Sequence, residues 1–359
     1  MTGTSGGCGA GGSPALHGRA RRPRQELGDQ KVSRRRFLAA SGALAAALSR
    51  TGRAEEPRQK ARIAITLDLE MSREYPHRGM LEWDYEKGNL DEPTKQYAVE
   101  AARIVKQAGG RMHFFCVGRV LEQPDVDWLK QIAAGHAVGN HTYDHVYVLA
   151  KSPEETQFRF RRAPWLIRGK SAAQVIEENI RLTTIALKER AGIEESGFRT
   201  PGGFADGLAG RDDVQQMLLR LGYTWVSSKY PRHEAAREGD SPPAAVFDSI
   251  VAAQRESQPF VYPSGLVEVP MSPISDVNAF RSNRWKLADF LKAIRVAMEW
   301  AIENRAVFDF LAHPSCLVVE DPKFESVRLI CELTRSAGDR AEFSDLATIA
   351  AAVKQEGSH

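Results

Sequence analysis

The sequence predicts a parallel α/β sheet, open or closed into a barrel, built in one large domain. Two observations lead there. Seven short apolar stretches with strand character alternate with helical ones. The polar residues best suited to chemistry then fall at the C-terminal ends of those strands, where a barrel carries its working groups.

The first strand is Ala61 to Glu70, ARIAITLDLE. Ile63, Ile65, Leu67 and Leu69 alternate with Ala64, Thr66, Asp68 and Glu70, the period of two that defines a strand. Residues i and i+2 project to one side, so Asp68 and Glu70 point together while Leu69 points away. Two carboxylates at the end of an apolar strand are costly to bury without a cation or a chemical task; taken alone, the stretch equally fits an edge strand with a wet acidic face.

Residues 71–92 read as a long loop carrying Trp83 and Tyr85. Pro93 and Thr94 open a helix that Gly109 and Gly110 stop. Further strands are expected at Arg111–Val117, His136–His141, Gly197–Thr200, Tyr223–Ser228, Leu266–Pro270 and Ala306–Ala312. Helices are expected near 127–134, 172–191, 212–221, 287–304, 322–337 and 344–355, the last capped by Ser344. Residues 150–170 show no clear period, and 229–263 read as a long excursion.

Composition is that of a soluble globular chain, 42% hydrophobic and 26% charged over 359 residues. The formal charge of +3 is concentrated at the N-terminus: residues 1–54 hold ten basic and two acidic side chains, leaving 39 basic against 44 acidic in the remainder. A mildly acidic domain carries no electrostatic footprint for nucleic acid. The four cysteines, Cys8, Cys116, Cys316 and Cys331, form no zinc-type spacing. Cys316 and Cys331 could pair in an oxidising compartment, which spacing alone does not show.

Residues 1–54 are expected to be a disordered, Gly- and Arg-rich start followed by an export signal, with the folded domain at 55–359. Ser33-Arg34-Arg35-Arg36-Phe37-Leu38 precedes an apolar run to Leu48 that is too short to span a bilayer, and then Gly52-Arg53-Ala54. The paired arginines before Phe-Leu resemble a twin-arginine signal, implying the twin-arginine export machinery as partner, a periplasmic or other extracytoplasmic location, and no stable transmembrane segment once the signal is cleaved.

Three further motifs carry chemistry. His141-Thr142-Tyr143-Asp144-His145 sets two imidazoles at i and i+4, facing one way if the stretch turns helically. With a strand-end carboxylate they make a divalent-metal triad with open positions. Zinc (Zn2+) is the default ion, with cobalt, nickel or iron as alternatives. Arg199-Thr200-Pro201-Gly202-Gly203 offers a guanidinium that can orient a carboxylate, and glycine N–H groups that can stabilise an oxyanion. Phe310-Leu311-Ala312-His313 ends a buried strand in a histidine, a core residue or a catalyst. No G-x-S-x-G elbow is present, and Cys116 lies within an apolar strand, which argues against a serine or cysteine nucleophile.

Taken in order, Thr66-Leu67-Asp68-Leu69-Glu70, His141 to His145, Arg199 to Gly203 and Leu311-Ala312-His313 resemble the motif series of the NodB-homology polysaccharide deacetylases, the fourth carbohydrate esterase family. The resemblance covers roughly residues 61–355. It implies a deformed (β/α)7 barrel and metal-dependent hydrolysis of an N-acetyl, less often O-acetyl, group on an acetylated glycan. It makes Asp68 the general base, His141 and His145 metal ligands, Arg199 the holder of Asp68, an N–H near Gly202 part of the oxyanion site, and His313 the acid. Leu69 stands where the family has a second aspartate, so Glu70 is assigned as third ligand. Trp225 stands for the tryptophan motif and is expected at the substrate, but it lacks an aspartate partner, which leaves open what tunes His313. Asp309 shares a strand face with His313 and is read as structural. Trp83, Tyr85, Trp165 and Trp225 could stack on sugar rings. Two rivals remain: a barrel amidase for a small cyclic amide or imide, and a non-catalytic glycan-binding module. The sequence gives no sign of oligomeric state.

Overall fold

In a computed structural model of the chain, residues 59–73 and 87–356 are described, all within the unit Glu56–His359. Nine strands, β1 (Ala61–Leu69), β2 (His113–Cys116), β3 (Ala137–Asn140), β4 (Phe198–Phe204), β5 (Trp225–Lys229), β6 (Phe260–Val261), β7 (Val267–Glu268), β8 (Val307–Ala312) and β9 (Ala341–Phe343), form one curled sheet. Its order is β6-β7-β5-β4-β3-β2-β1-β8, with β9 beside β1, and every pairing except the β6–β7 hairpin is parallel. The helices are α1 (Glu92–Gln107), α2 (Asp127–Ala133), α3 (Phe158–Arg162), α4 (Ala172–Ala191), α5 (Asp212–Arg220), α6 (Ala244–Glu256), α7 (Leu287–Glu303), α8 (Pro314–Glu320), α9 (Glu325–Ser336) and α10 (Leu346–Glu356). None of the described helices is long and apolar enough to cross a membrane.

The alternation on β1 sorts two environments. Ile63, Ile65, Leu67 and Leu69 join the large core between sheet and helices, packed with Ala98, Ala101, Val105, Phe308 and Phe310 among others. Thr66, Asp68 and Glu70 are buried on the inner face. The same parity on β2 sends Phe114 and Cys116 outward and Phe115 inward. Helix α1 begins where Asp91 accepts a hydrogen bond from the Thr94 backbone N–H, with Pro93 in its first turn.

The curl closes without a direct β7–β8 ladder. The chain after β7 bridges the gap: Val269 N–H donates to Val226 and Met271 N–H to Lys229 on one side, while Ser272 N–H donates to Asp309 and Ser275 bridges Leu311 on the other. Below that bridge, Gln254 and Gln258 of the α6 region satisfy the backbone of Val307 at the free edge of β8. This bridge brings residues 271–276 to the mouth of the barrel.

The parallel curled sheet is the predicted architecture, with differences of detail. Helix α6 lies in the expected excursion, where Pro242 and Pro243 hide its start. Strands β6 and β9 are too short for a periodic signal. Asp345, not Ser344, caps α10, its carboxylate accepting from Thr348 N–H at 2.8 Å. Cys116, Cys316 and Cys331 are buried free thiols, so the Cys316–Cys331 pairing is absent. The export signal, and Trp83 and Tyr85, lie outside the described residues.

Candidate active site

Asp68, Glu70, Lys87, His141, His145, Arg199, Asp276 and His313 converge at the C-terminal mouth of the barrel, and each arrives for a local reason. Asp68 closes β1 and Glu70 follows it, both inward and nearly sealed from water. His141 and His145 sit on the turn after β3. That turn is not helical, contrary to the simplest reading of their spacing: Thr142 and His145 both have left-handed backbone, φ 60° and 58°. Side chains hold it in place. Asn140 Oδ1 accepts from Thr142 N–H and Thr142 Oγ1 from Val146 N–H, both at 2.9 Å, and Asn179 Oδ1 accepts from Asp144 N–H at 2.8 Å. Strain in a β-branched residue, stabilised by buried hydrogen bonds, is common at functional turns.

His141 Nδ1–H donates to the Arg199 carbonyl at 3.0 Å, which fixes the tautomer and turns the Nε2 lone pair into the cleft. Nε2 lies 3.4 Å from Glu70 Oε2, and His145 Nε2 lies 2.7 Å from the same oxygen. Glu70 Oε2 is buried without a hydrogen bond of sound geometry. Ligand atoms from Glu70, His141 and His145 all lie within 4.8 Å of one another. A buried carboxylate oxygen facing two imidazole nitrogens, one with its lone pair fixed toward it, is a donor set that fits a divalent ion. Burial pushes the His141 pKa down despite the pull of Asp68, keeping the imidazole neutral. Burial would raise Glu70, but Lys87 and then His145 overcome it and hold the carboxyl well below its usual range.

Arg199 lies beneath this group, fully buried on β4. Its Nη1 donates to Asp68 Oδ1 at 3.1 Å and to Thr66 Oγ1 at 2.8 Å, its Nη2 to Asp309 Oδ2 at 2.6 Å, and its Nε to Ser227 Oγ at 3.2 Å. The guanidinium also stacks over Phe115, 4.4 Å from the ring centre. Asp309 is therefore a partner of Arg199; burial raises its pKa to about 6 against the pull of that arginine.

His313 follows β8 and brings Nε2 to 4.0 Å from Asp68 Oδ2 and 3.5 Å from Glu70 Oε1. Its partner is Asp276, at the mouth bridge. Oδ1 lies 2.9 Å from His313 Nδ1, and Oδ2 accepts from the His313 backbone N–H at 2.7 Å. Burial opposes charge on His313, yet Asp276 outweighs it and the pKa is raised.

The mouth forms a cleft of about 360 Å³ lined by Asp68, Glu70, His141, His145 and His313 together with Gly202, Tyr230, Met271 and Arg281. Gly202 has φ +78°, a conformation that favours glycine, and forms part of the cleft wall. Trp225 is elsewhere. It enters at the start of β5, far below the mouth, where its ring packs on Gly197, His113 and Phe115. A Cβ on Gly197 would come within 1.9 Å of that ring, so the expectation of a substrate contact at Trp225 is corrected to a floor residue. Trp165 is 65% exposed and does not line the cleft.

Sequence reasoning missed two members. Asp276 lies in a non-periodic segment and reaches His313 only because the chain bridges β7 to β8. Lys87 is buried at 1% exposure and ion-paired to Glu70 Oε1, with Nζ 3.4 Å from His145 Nε2. A lysine in a loop rich in charge reads as solvated, and no pattern in the sequence marks it otherwise.

Comparison with known proteins agrees with this architecture. Residues 80–226 match the family model for polysaccharide deacetylases. No curated protein matches the sequence. Among solved structures, a protein from Mycobacterium smegmatis described as a polysaccharide deacetylase aligns at 16% identity and TM-score 0.56, over 84% of this chain and 93% of the other. A PuuE allantoinase aligns at 13% identity and TM-score 0.53, over 84% and 93%. A protein from Pseudomonas aeruginosa PAO1 described as a polysaccharide deacetylase aligns at 11% identity and TM-score 0.52, over 83% and 92%. The resemblance read from the motifs is thus borne out as a match: residues 80–226 fit the polysaccharide deacetylase, or NodB-homology, model, which indicates a hydrolase acting on carbon–nitrogen bonds, and the solved structures share the deformed (β/α)7 barrel.

Proposed function

We propose that the chain removes N-acetyl, or less often O-acetyl, groups from a polysaccharide or cell-envelope glycan, with Glu70, His141 and His145 holding a divalent ion, zinc by default. A bound ion would supply Lewis-acid polarisation of the acyl carbonyl. Asp68 takes the proton of the attacking water, its carboxylate held by Arg199 so that Oδ2 faces the cleft. His313 delivers a proton to the leaving nitrogen from Nε2, with Asp276 holding the ring through Nδ1. An N–H near Gly202 donates to the developing oxyanion. The observation that carries this reading is the pairing of a fixed carboxylate with a fixed imidazole, 4.0 Å apart, beside a His-His-carboxylate group.

A second reading, hydrolysis of a small cyclic amide or imide, is favoured by the modest 360 Å³ cleft and by the fold shared with an allantoinase. One screen separates them. The full chain, supplied with Zn2+ or Co2+, is offered N-acetylglucosamine oligomers, peptidoglycan fragments and O-acetylated sugars, with acetate release measured, and a panel of cyclic amides, with ring opening followed by absorbance. Acetate release that Asp68→Asn abolishes supports deacetylation. Ring opening without acetate release transfers the assignment to the second reading. A metal-loaded chain that turns over nothing but binds glycan is a binding module. We also propose export by the twin-arginine route, on the Arg35-Arg36-Phe37-Leu38 pattern; retention of a fused reporter in the cytoplasm after Arg35→Lys/Arg36→Lys is the expected outcome, and unchanged export would contradict it.

A further inference from the structure

Lys87 is the one lysine among the described cleft residues, and its surroundings are built rather than incidental. Gly88 N–H donates to the Glu70 carbonyl at 2.7 Å, tying the Lys87-Gly88 turn to the end of β1. Gln123 Nε2 donates to the carbonyls of Gly88 and Leu90 at 3.4 and 3.0 Å. Gly88 has φ +91°, and a Cβ there would stand 2.3 Å from Arg119 Cβ, so the turn is pressed against the exit of β2. This clamp delivers the ammonium to Glu70 Oε1 and to within 3.4 Å of His145 Nε2. Two of the three residues assigned to the ion therefore already face a positive charge.

We propose that Lys87 is an internal cation that competes with a divalent ion for Glu70 and His145, making this a weak, exchangeable metal site. The inference rests on the assignment of Glu70, His141 and His145 as the ion-holding group. Glu70 carries one negative charge, and a fixed ammonium against it neutralises what a divalent ion would otherwise draw on. The ammonium also repels that ion directly, and because Lys87 and Glu70 are both buried the charges are poorly screened. The sign distinguishes this role from simple support of Glu70. If Lys87 merely oriented the carboxylate, its removal would loosen metal binding; as a competitor, its removal tightens it. Loss of a group that orients a ligand typically weakens metal affinity by roughly 10–100-fold; loss of a competing cation should produce a change of about that size in the opposite direction, toward tighter binding.

The test is calorimetric titration of the chelator-stripped full chain with Zn2+ alone and Co2+ alone, for wild type, Lys87→Met, Lys87→Gln and Lys87→Arg. Methionine keeps the length and the apolar stem without the charge. The two neutral variants should bind at least about ten-fold more tightly, and Lys87→Arg should stay near wild type. Equal or weaker affinity in both neutral variants overturns the proposal while leaving metal-dependent hydrolysis standing. Metal uptake by Lys87→Met but not by wild type supports the proposal and removes metal-dependent hydrolysis instead. No uptake in any variant overturns both. Should the neutral variants melt early without metal, because Glu70 loses its counter-charge, melting curves at increasing Zn2+ take over. Rescue at concentrations that leave wild type unshifted supports the competition, and absence of rescue overturns it.

Discussion

On β1 the inward residues run Ala64, Thr66 and Asp68, with Glu70 beyond the strand end; on β5 they run Trp225 and Ser227. Ala64 and Trp225 join Phe115, Val267, Val269, Val307 and, from α10, Leu346 and Ile349 in an apolar plug that closes the floor of the barrel. Two residues further along the same strands, Thr66 and Ser227 both accept hydrogen bonds from Arg199, and two further still Asp68 enters the cleft. Histidine marks the contrast most clearly. His113, at the floor, stacks on Phe115, and burial lowers its pKa to about 4; His313, at the mouth, is raised by Asp276. Depth along the strand, and the charge waiting there, decides whether an inward residue packs or reacts.

If that division holds, mouth and floor variants should fail in separable ways. Asp68→Asn removes the base and should lower kcat by roughly 10²–10⁴-fold while metal content stays at the wild-type value. Loss of metal together with activity would assign Asp68 to the ligand set instead. Trp225→Ala vacates the floor and should cost about 3–5 kcal/mol in chemical denaturation. Its kcat/KM and metal content, measured under conditions where the variant is folded, should stay near wild type; a selective rise in KM would return Trp225 to the substrate. Asp276→Asn acts on pH dependence. His313 must carry its proton to act as acid, so activity falls as pH rises through its raised pKa, and that limb lies above the ordinary histidine value of about 6.5. Removing the Asp276 charge should move the alkaline limb of kcat/KM to lower pH; an unmoved limb would mean that another group is the acid.

Much of this division was legible in the residues themselves. Alternation from Ile63 to Glu70 was enough to separate core-facing aliphatics from inward polar groups, because one face of β1 meets helices and the other does not. The strand ends correctly picked out Asp68, Glu70, His141, Arg199 and His313 as neighbours. Periodicity gives a side but not a depth, which is why Trp225, on the inner face of its strand, was expected at the substrate and stands at the floor. Asp276 and Lys87 lie in segments without period, and only tertiary closure brings them in: the bridge from β7 to β8 delivers one, and the Gly88–Arg119 contact the other. The His141–His145 turn shows a third limit. Its spacing correctly suggested convergence, but a helix was the wrong means, since Asn140 and Thr142 side chains build a left-handed turn that no propensity scale anticipates.

The most direct test is elemental analysis of the full chain after reconstitution with excess Zn2+ and removal of free ion, beside the His141→Ala/His145→Ala double variant. Retention should be judged at ion concentrations bracketing the wild-type affinity, given the charge of Lys87. About one divalent ion per wild-type chain and none in the double variant is the predicted result. Equal metal in both, or none in either at any concentration, would contradict a metal site at the mouth of this barrel.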